Sequence, residues 1–362
     1  MRGHILLFSI LLGMQTTVLA QNSGAPEGSL IAPATGYEKP FSHLDLSLTT
    51  GSTGIGFDAS MPINDMFSLR AGYAIMPHIN HTMHFGVEVG DDPSQSKSKF
   101  ERLSGLLEGF TGNKVDDVVD MVGHPSYWNW KLLVDVKPFN NKKWHITAGI
   151  YYGNSEVAKA ANSITDMPSL MAVGIYNNLY YKAINNEPYA TVGGTNVFLP
   201  TELASRFEKY GKMSIHIGDY SHDVLYEEDV VATETMIVDG NIIKEGDVIH
   251  HAGDVLYAKG DAYRMVPDEN SMVKATAYAN RWKPYLGFGY GGQMIKGNDH
   301  WQVSFDCGAM FWGGTPKVVT HDGTDLINDV ENVRGKVGDY IDIIKQVKVF
   351  PVVNLRISYR LF

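Results

Sequence analysis

The chain has 362 residues, of which 44% are hydrophobic and 19% are charged, as is typical of a folded protein. Its formal net charge of -10 argues against nucleic acid as a partner, because phosphate binding requires a concentrated basic face. The 37 glycines and the 11% aromatic content favour an all-β fold over a helical one.

Residues 1–20 have the features of a secretory signal peptide. Arg2 supplies the positive start, and residues 5–12 form a short apolar core. Val18 and Ala20 occupy the small-residue positions of a cleavage site. A single membrane anchor is the alternative, but this core is too short for a comfortable span. We therefore expect an exported protein whose residues 21–41 form an N-terminal periplasmic segment.

Two further features limit how the exported chain is held together. Cys307 is the only cysteine, so no internal disulfide can form. After residue 20 no run reaches the ~18 apolar residues that a spanning helix requires. The sequence therefore predicts no transmembrane helix.

Eight segments alternate apolar and polar residues, and each has about 8 to 12 residues, a length that suits a tilted barrel strand. They are residues 42–50, 55–61, 67–75, 128–139, 144–152, 282–292, 301–312 and 352–362. Short turns alternate with long insertions at about 76–127, 153–280 and 313–349. This pattern predicts an all-β membrane protein over residues 42–362, an antiparallel up-and-down transmembrane barrel of eight strands with long, partly helical extracellular insertions.

The first hairpin leaves an alternative open. Residues 43–62 could instead form one long curved strand, and an insertion would then have to supply the eighth strand; a larger strand number also stays open. Aromatic residues near the strand ends support a barrel that crosses a membrane, because such barrels carry aromatic girdles at both interfaces. These residues are Trp128, Trp130, Trp144, Trp282, Trp301 and Tyr359.

Three segments carry a family resemblance: TTGSTGIGFDASMPINDMFSLRAGY, KPYLGFGYGG and the final SYRLF. They resemble outer-membrane β-barrel proteins of Gram-negative bacteria, especially those of Bacteroidota, and the small eight-stranded class of outer membrane protein A. The resemblance covers the strands, under half of the chain. It implies surroundings of outer-membrane lipid and lipopolysaccharide. It also implies recognition by the barrel-assembly machinery through Tyr359, Leu361 and Phe362, although Leu361, not Phe362, is in phase with Tyr359.

The predicted inward face of the barrel carries charges of both signs. An eight-stranded barrel is just wide enough for its side chains to fill it, and buried charges must be paired or hydrated. We therefore expect a sealed lumen of ion pairs, in which replacement of Arg356 by Leu lowers stability without creating conductance. An ion path is the alternative. The charged residues are Asp45, Asp58, Arg70, Lys131, Asp135, Lys137, Lys283, Asp306, Arg356 and Arg360.

The insertions contain segments with helical spacing of apolar residues. The first has KFERLSGLLEGF and KVDDVVDMV, which predict a helical hairpin over the barrel mouth. The second has SLMAVGIYNNLYYKAI and PTELASRFEKY, with Thr201 as a helix cap, followed by strands and turns after Lys212. The third has DLINDVENVRGKVGDYIDIIKQV, which predicts a helix that acts as a lid or a partner face.

Two patterns suggest metal sites without establishing them. His78, His81 and His84 are metal-binding residue types, but spacing by three suits a helix face, and residues at the barrel mouth are more simply interfacial. Gly-Asp pairs at Gly246, Gly253 and Gly260 repeat every seven residues. This is not the nonapeptide calcium repeat, and Gly-Asp is ordinary turn chemistry. We expect turns of a small β-meander and no bound metal or cofactor.

These features predict a non-enzymatic outer-membrane protein whose insertions bind an unidentified extracellular ligand or protein partner or contribute to envelope integrity. A small-solute channel is one alternative, and the glycine-rich GFGYGG strand is where such a barrel could open. A lipid-modifying enzyme is the other. The chain has no Gly-x-Ser-x-Gly or His-Glu-x-x-His motif, and Ser214 with His216 is a weak candidate pair.

Overall fold

The structure, a computed structural model, describes residues 40–232, 236–238, 241–346 and 349–362. The predicted signal peptide and nearly all of the predicted periplasmic segment lie outside these residues. The first three strands are β1 (Asp45–Gly51), β2 (Gly54–Pro62) and β3 (Phe67–Ile75). Gly51 pairs with Gly54 at the tip of the first hairpin, where Gly54 has a φ of +92°. This tight turn separates β1 from β2, so residues 43–62 are not one curved strand.

The first insertion contains β4 (His81–Val89), α1 (Pro93–Thr111) and β5 (Val118–Pro125). Asp92 caps α1 by accepting a hydrogen bond from the Ser94 backbone N–H at 2.9 Å. The predicted second helix, KVDDVVDMV, is wrong: most of it forms β5. Its β-branched residues fit a strand, where Val119 and Met121 are buried on one face.

Strands β6 (Trp128–Val136) and β7 (Trp144–Gly153) precede the second insertion. Its helices are α2 (Met167–Ile184) and α3 (Thr201–Tyr210), with a 3₁₀ turn at Ile164–Asp166. The predicted Thr201 cap is wrong, since Pro200 is the cap residue. The strands are β8 (Glu156–Asn162), β9 (Ala190–Val192), β10 (Thr195–Val197), β11 (Met213–Tyr220), β12 (Val224–Leu225), β13 (Val230–Val231), β14 (Met236–Val238), β15 (Asn241–Ile243), β16 (Val248–His250), β17 (Val255–Tyr257), β18 (Ala262–Met265) and β19 (Lys274–Tyr278).

The last part of the chain contains β20 (Trp282–Ile295), β21 (Asn298–Phe311), β22 (Lys317–Thr320), β23 (Val330–Glu331), α4 (Gly335–Gln346) and β24 (Val349–Arg360). The helix predicted in the third insertion forms only in its second half. The first half makes turns and β23, because Asp325 accepts hydrogen bonds from the backbone of Val318 and Ile327 and holds a loop there.

In the described part of the chain, eight strands form a closed antiparallel barrel in the order β1-β2-β3-β6-β7-β20-β21-β24. The barrel closes where β1 pairs with β24, from Asp45 opposite Arg360 to Gly51 opposite Asn354. The predicted fold class and strand number are confirmed.

The insertions form a second layer at one end of the barrel, which we call the cap. Its main sheet has the order β18-β11-β4-β5-β8-β19-β22, and β23 pairs with β11. Five of these strands are each next to a barrel strand in the chain. Strands β4, β8 and β22 follow β3, β7 and β21, and strands β5 and β19 precede β6 and β20. The five cap strands lie in the same order as their barrel neighbours. The cap sheet thus has the same strand order as five of the eight barrel strands. Among the described residues, no cap strand continues β24, β1 or β2 along the chain, and we call the rim of the barrel above these three strands the notch. Beyond β4 the cap sheet continues with β11 and β18, but β11 pairs with β4 only at residues 87–89. Among the described strands, residues 81–86 of β4 therefore pair with β5 alone.

The helices of the cap pack against one face of this sheet. Tyr176 in α2 donates a hydrogen bond to the Gly211 carbonyl at 2.9 Å, and Asn177 bonds both backbone groups of Met213 at 2.8 Å. The core that these contacts enclose is apolar. Its buried members include Val87, Val89, Phe100, Leu103, Leu107, Leu170, Val173, Phe207, Ile215 and Ile341.

Strands β12 to β17 form a separate two-stranded arm, in which β12 pairs with β17, β13 with β16 and β14 with β15. The glycines of the Gly-Asp pairs have φ between +88° and +94°, and each following aspartate accepts a hydrogen bond from a backbone N–H three residues before it. The seven-residue repeat is therefore a repeat of turns.

The outer face of the barrel is apolar and carries aromatic contacts at two levels. Near the cap, Tyr73 lies against Trp130 and Tyr152 against Trp282; near the opposite end, Trp144 lies against Tyr290 and Trp301 against Tyr359. Trp282 and Tyr290 are eight residues apart in β20, roughly 27 Å along a strand. Among the described helices, none combines the length and the apolar character needed to cross a membrane.

Candidate functional site

The centre of the barrel lumen is occupied by two ion pairs that cross its full diameter. The Arg70 guanidinium in β3 lies 3.2 Å from Asp306 in β21, and Arg356 in β24 lies 3.8 Å from Asp135 in β6. In each pair the two strands are four places apart in an eight-stranded ring, so they face each other across the lumen. Every one of these side chains is at least nine-tenths buried.

Shorter contacts join these pairs into one network. Arg70 donates to Asp135 at 2.8 Å, and the Lys131 ammonium lies 2.6 Å from Asp58. His145 lies 2.7 Å from Asp306, so each of the central carboxylates has a basic partner. Buried charges of this kind persist because their partners replace the water that they have lost.

The structure places the predicted lumen residues at three levels. Asp58, Arg70, Lys131, Asp135, Asp306 and Arg356 form the central network. Lys283 is fully buried but donates to the Asn129 side chain at 3.2 Å and to the Asn154 carbonyl at 3.4 Å. Asp45 and Arg360 pair at 3.1 Å near the end of the barrel opposite the cap, where Lys137 also lines a small vestibule.

Sequence reasoning missed His145, Thr147 and Asn129 as members of the lumen set. Thr147 donates to Asp135 at 2.6 Å. All three occupy inward positions of the period-two pattern, so their phase was the signal that could have identified them. The prediction considered only charged residues and therefore overlooked neutral polar ones.

An apolar layer lies between the ion pairs and the cap. Its buried members are Leu133, Tyr151, Tyr285, Met310 and Val352, and the two tyrosine rings meet edge to face at 5.5 Å. Gly287 makes room for this layer, since a Cβ there would lie 2.2 Å from the Tyr285 hydroxyl. Gly289 makes the same allowance for His145. The large neighbours occupy the space beside these glycines, and β20 stays paired with both β7 and β21 at Gly287 and Gly289.

The vestibule at the opposite end of the lumen is small and basic. Its volume is about 90 Å³. Lys137, Lys142, Lys143, Arg356 and Arg360 line it together with Asp45 and Asp135. It ends at the central ion pairs.

A second candidate site is an apolar cavity in the cap, with a volume of about 340 Å³, within the range of small-molecule sites. One wall is the face of β4, β5, β8, β19 and β22 that carries Met83, Met121 and Ala160. The other wall is α4, through Val337, Ile341 and Ile344. This cavity was not predicted, because it needs residues from all three insertions.

The three candidate metal-binding histidines do not converge. His84 pairs with Asp120, His78 lies beside His124 with ring centres 5.1 Å apart, and His81 lines the apolar cavity. Within the described ranges, no group of three or more His, Cys, Asp or Glu residues could hold a metal ion.

The candidate catalytic pair is engaged in other contacts. The Ser214 hydroxyl accepts from Arg264 at 3.4 Å, and His216 lies 3.6 Å from Glu88 and bonds the Gly218 carbonyl at 3.0 Å. Arg264 and Arg334 both bind Glu88, at 3.2 and 3.1 Å. This cluster joins the strands of the cap sheet to the segment before α4.

One buried polar cluster stabilises the cap next to β22. Burial raises the pKa of the Tyr263 phenol, which keeps its proton and donates to Asp322 at 2.8 Å. Burial would also raise the pKa of Asp322, but hydrogen bonds from Thr320, Thr324 and Tyr263 outweigh it and hold that pKa below its usual value.

No family model matches the chain. No curated protein matches it either. Among solved structures, it is similar to CarO2 of Acinetobacter baumannii, with a TM-score of 0.34 and 14% identity over 89% of this chain and 100% of the other. It is also similar to CarO of the same organism, with a TM-score of 0.32 and 14% identity over 89% of this chain and 97% of the other. At this level of similarity, the function rests on this chain's own residues.

Proposed function

We propose that this protein is a non-conducting outer-membrane β-barrel that anchors a ligand-binding cap at the cell surface. The observation that carries the proposal is the pair of ion pairs across the lumen, Arg70 with Asp306 and Arg356 with Asp135. A barrel closed in this way serves as an anchor, and the cavity in the cap is then the place where binding occurs.

The outer face supports a position in the membrane. With strands tilted by about 40°, the two aromatic levels are separated by roughly 20 Å of height, close to the apolar band of outer-membrane barrels. Outward residues between them, such as Leu286 and Phe288, are exposed. Outer-membrane lipid and lipopolysaccharide are thus the proposed surroundings. We also propose that the barrel belongs to the small eight-stranded class of outer membrane protein A, and the strand number supports this.

The end of the chain supports recognition by the barrel-assembly machinery. Tyr359 lies on the outer face beside Trp301, and Leu361 and Phe362 follow β24 with exposed side chains. We propose that these three residues form the assembly signal. The contacts of Ser214 and His216 favour a structural role for that pair, and we propose a protein without enzymatic activity.

Conductance across a planar bilayer tests the sealed lumen. The purified barrel should give current at the background level, because two ion pairs and an apolar layer lie in series along the lumen. An Arg356→Leu variant should also stay at background while it loses thermal stability. A large, steady single-channel current from the unmodified protein would contradict the proposal and favour the small-solute channel.

A further inference from the structure

The floor of the cap cavity is made of small residues in register. Gly123, Ala160, Ala275 and Thr320 lie side by side across β5, β8, β19 and β22. The next row is Pro125, Ala158, Ala277 and Val318. Four strands span three spacings of about 4.8 Å, so these rows form a trough roughly 14 Å long.

The walls of the trough are bulkier and also apolar. Met83, Phe85 and Met121 stand at one end, and α4 covers the trough with Val337, Ile341 and Ile344. Methionine side chains adapt their shape to an apolar neighbour. The long, narrow shape suits a flexible chain better than a compact ring.

The cavity offers few polar partners to a ligand. The Thr320 hydroxyl already bonds Asp322 at 2.5 Å and the Thr324 carbonyl at 3.0 Å. The other polar residues that line it are His81, His124 and Lys159. Lys159 pairs with Glu156, His124 lies beside His78, and His81 lies at the exposed start of β4. A polar solute would lose its hydration inside without new hydrogen bonds, so the trough selects hydrocarbon.

The mouth lies next to the outer surface of the barrel. Ile75 at the end of β3 faces outward and is 50% exposed, while Ile79, only four residues later, lines the cavity and is 62% exposed. The barrel neighbour of β3 on this side is β2, which belongs to the notch. The apolar surface proposed to face lipid therefore continues towards the cavity beside the lower part of β4, where residues 81–86 pair with β5 alone among the described strands.

We propose that the cap cavity holds one acyl chain of a membrane lipid, which enters from the outer surface of the barrel through the notch while its head group stays outside near His81. This inference rests on the proposed function, since it requires the barrel to lie in a membrane. Burial of the chain against the apolar lining of the cavity provides the driving force.

Photo-crosslinking in vesicles tests the inference. The full-length protein is reconstituted with phosphatidylcholine that carries a diazirine near the end of one acyl chain, irradiated, and mapped by peptide mass spectrometry. We expect crosslinks at two places: on outward residues of the barrel, and inside the cavity on residues such as Val318, Val337 and Ile341.

Two variants of β8 make the test specific. Ala160→Phe puts a ring into the trough and should abolish crosslinks in the cavity while those on the barrel remain. Ala161→Phe, on the other face of the same strand, should keep both. The heat-dependent gel mobility of the barrel shows whether each variant folds. If Ala160→Phe does not fold, Ala277→Phe replaces it, because its ring enters the trough from β19.

The outcomes separate the two proposals. Crosslinks on the barrel without crosslinks in the cavity would overturn the acyl-chain site and leave the membrane barrel intact. Absence of crosslinks on the barrel would overturn the proposed function itself. Cavity labelling by a free diazirine fatty acid, but not by the phospholipid, would overturn the membrane lipid as the source.

Discussion

Arg70 shows what a single residue contributes to this barrel. Its guanidinium contacts Asp135 and Asp306, on strands from different sides of the lumen, and lies 4.0 Å from Asp58. Arginine suits this place because its planar fork of donors binds several carboxylates at once. Arg70 therefore places one guanidinium among three carboxylates at the centre of the lumen.

Replacement of Arg70 by Met should destabilise the folded barrel by about 3–5 kcal/mol, because it leaves buried carboxylates without their partner. The free energy of unfolding can be measured by urea titration of the folded and unfolded gel bands in detergent. Arg360→Met is the matched control: this residue also pairs with an aspartate, but it is 27% exposed, so the loss should be about 1 kcal/mol or less. Equal losses in the two variants would contradict the role of the central network.

Individual elements show where pattern and fold disagree. The segment KVDDVVDMV has apolar residues at helical spacing, yet most of it forms β5 between β4 and β8. Short apolar runs satisfy both periods, and the neighbouring strands decide between them. The segment before α4 was likewise predicted as helix. There the Asp325 carboxylate accepts hydrogen bonds from the backbone of Val318 and Ile327, and the helix begins only at Gly335.

The cap should lose stability in acid through Asp322. The folded state lowers the pKa of this carboxyl, so its ionised form stabilises the cap at pH values above the unfolded pKa of about 3.9. That contribution disappears as the pH falls through this value towards the lower folded pKa. Thermal unfolding followed by near-UV circular dichroism should therefore show an acid-dependent loss that is smaller in Asp322→Asn. An unchanged pH dependence in that variant would contradict this assignment.

The whole molecule combines a closed barrel with an open cap sheet. Eight strands close the barrel, five continue into the cap, and three stop at the notch. The arm of β12 to β17 extends from the same cap and presents exposed apolar side chains such as Val231 and Val255.

Tryptophan fluorescence should report the position of the whole barrel in a bilayer. Trp130 and Trp282 form the level near the cap, and Trp144 and Trp301 the level near the opposite end. Lipids brominated close to the head group should therefore quench the emission more than lipids brominated at the chain end. Stronger quenching from the bilayer centre, or quenching by aqueous iodide alone, would contradict a girdle at each interface.

The sequence alone determined the barrel. Period-two alternation encodes which side chains face in and which face out, so the fold class follows from local patterns. Eight strands were the predicted number, and the closed ring decided between eight and the alternatives. The inward phase also identified Arg70, Asp306 and Arg356 as lumen residues. Only the tertiary structure decided which charges meet, because Arg70 and Asp306 are 236 positions apart and become opposite only when the ring closes. The cap cavity depends on the fold for the same reason: its floor takes one small residue from each of several strands, and no local pattern records that they are neighbours.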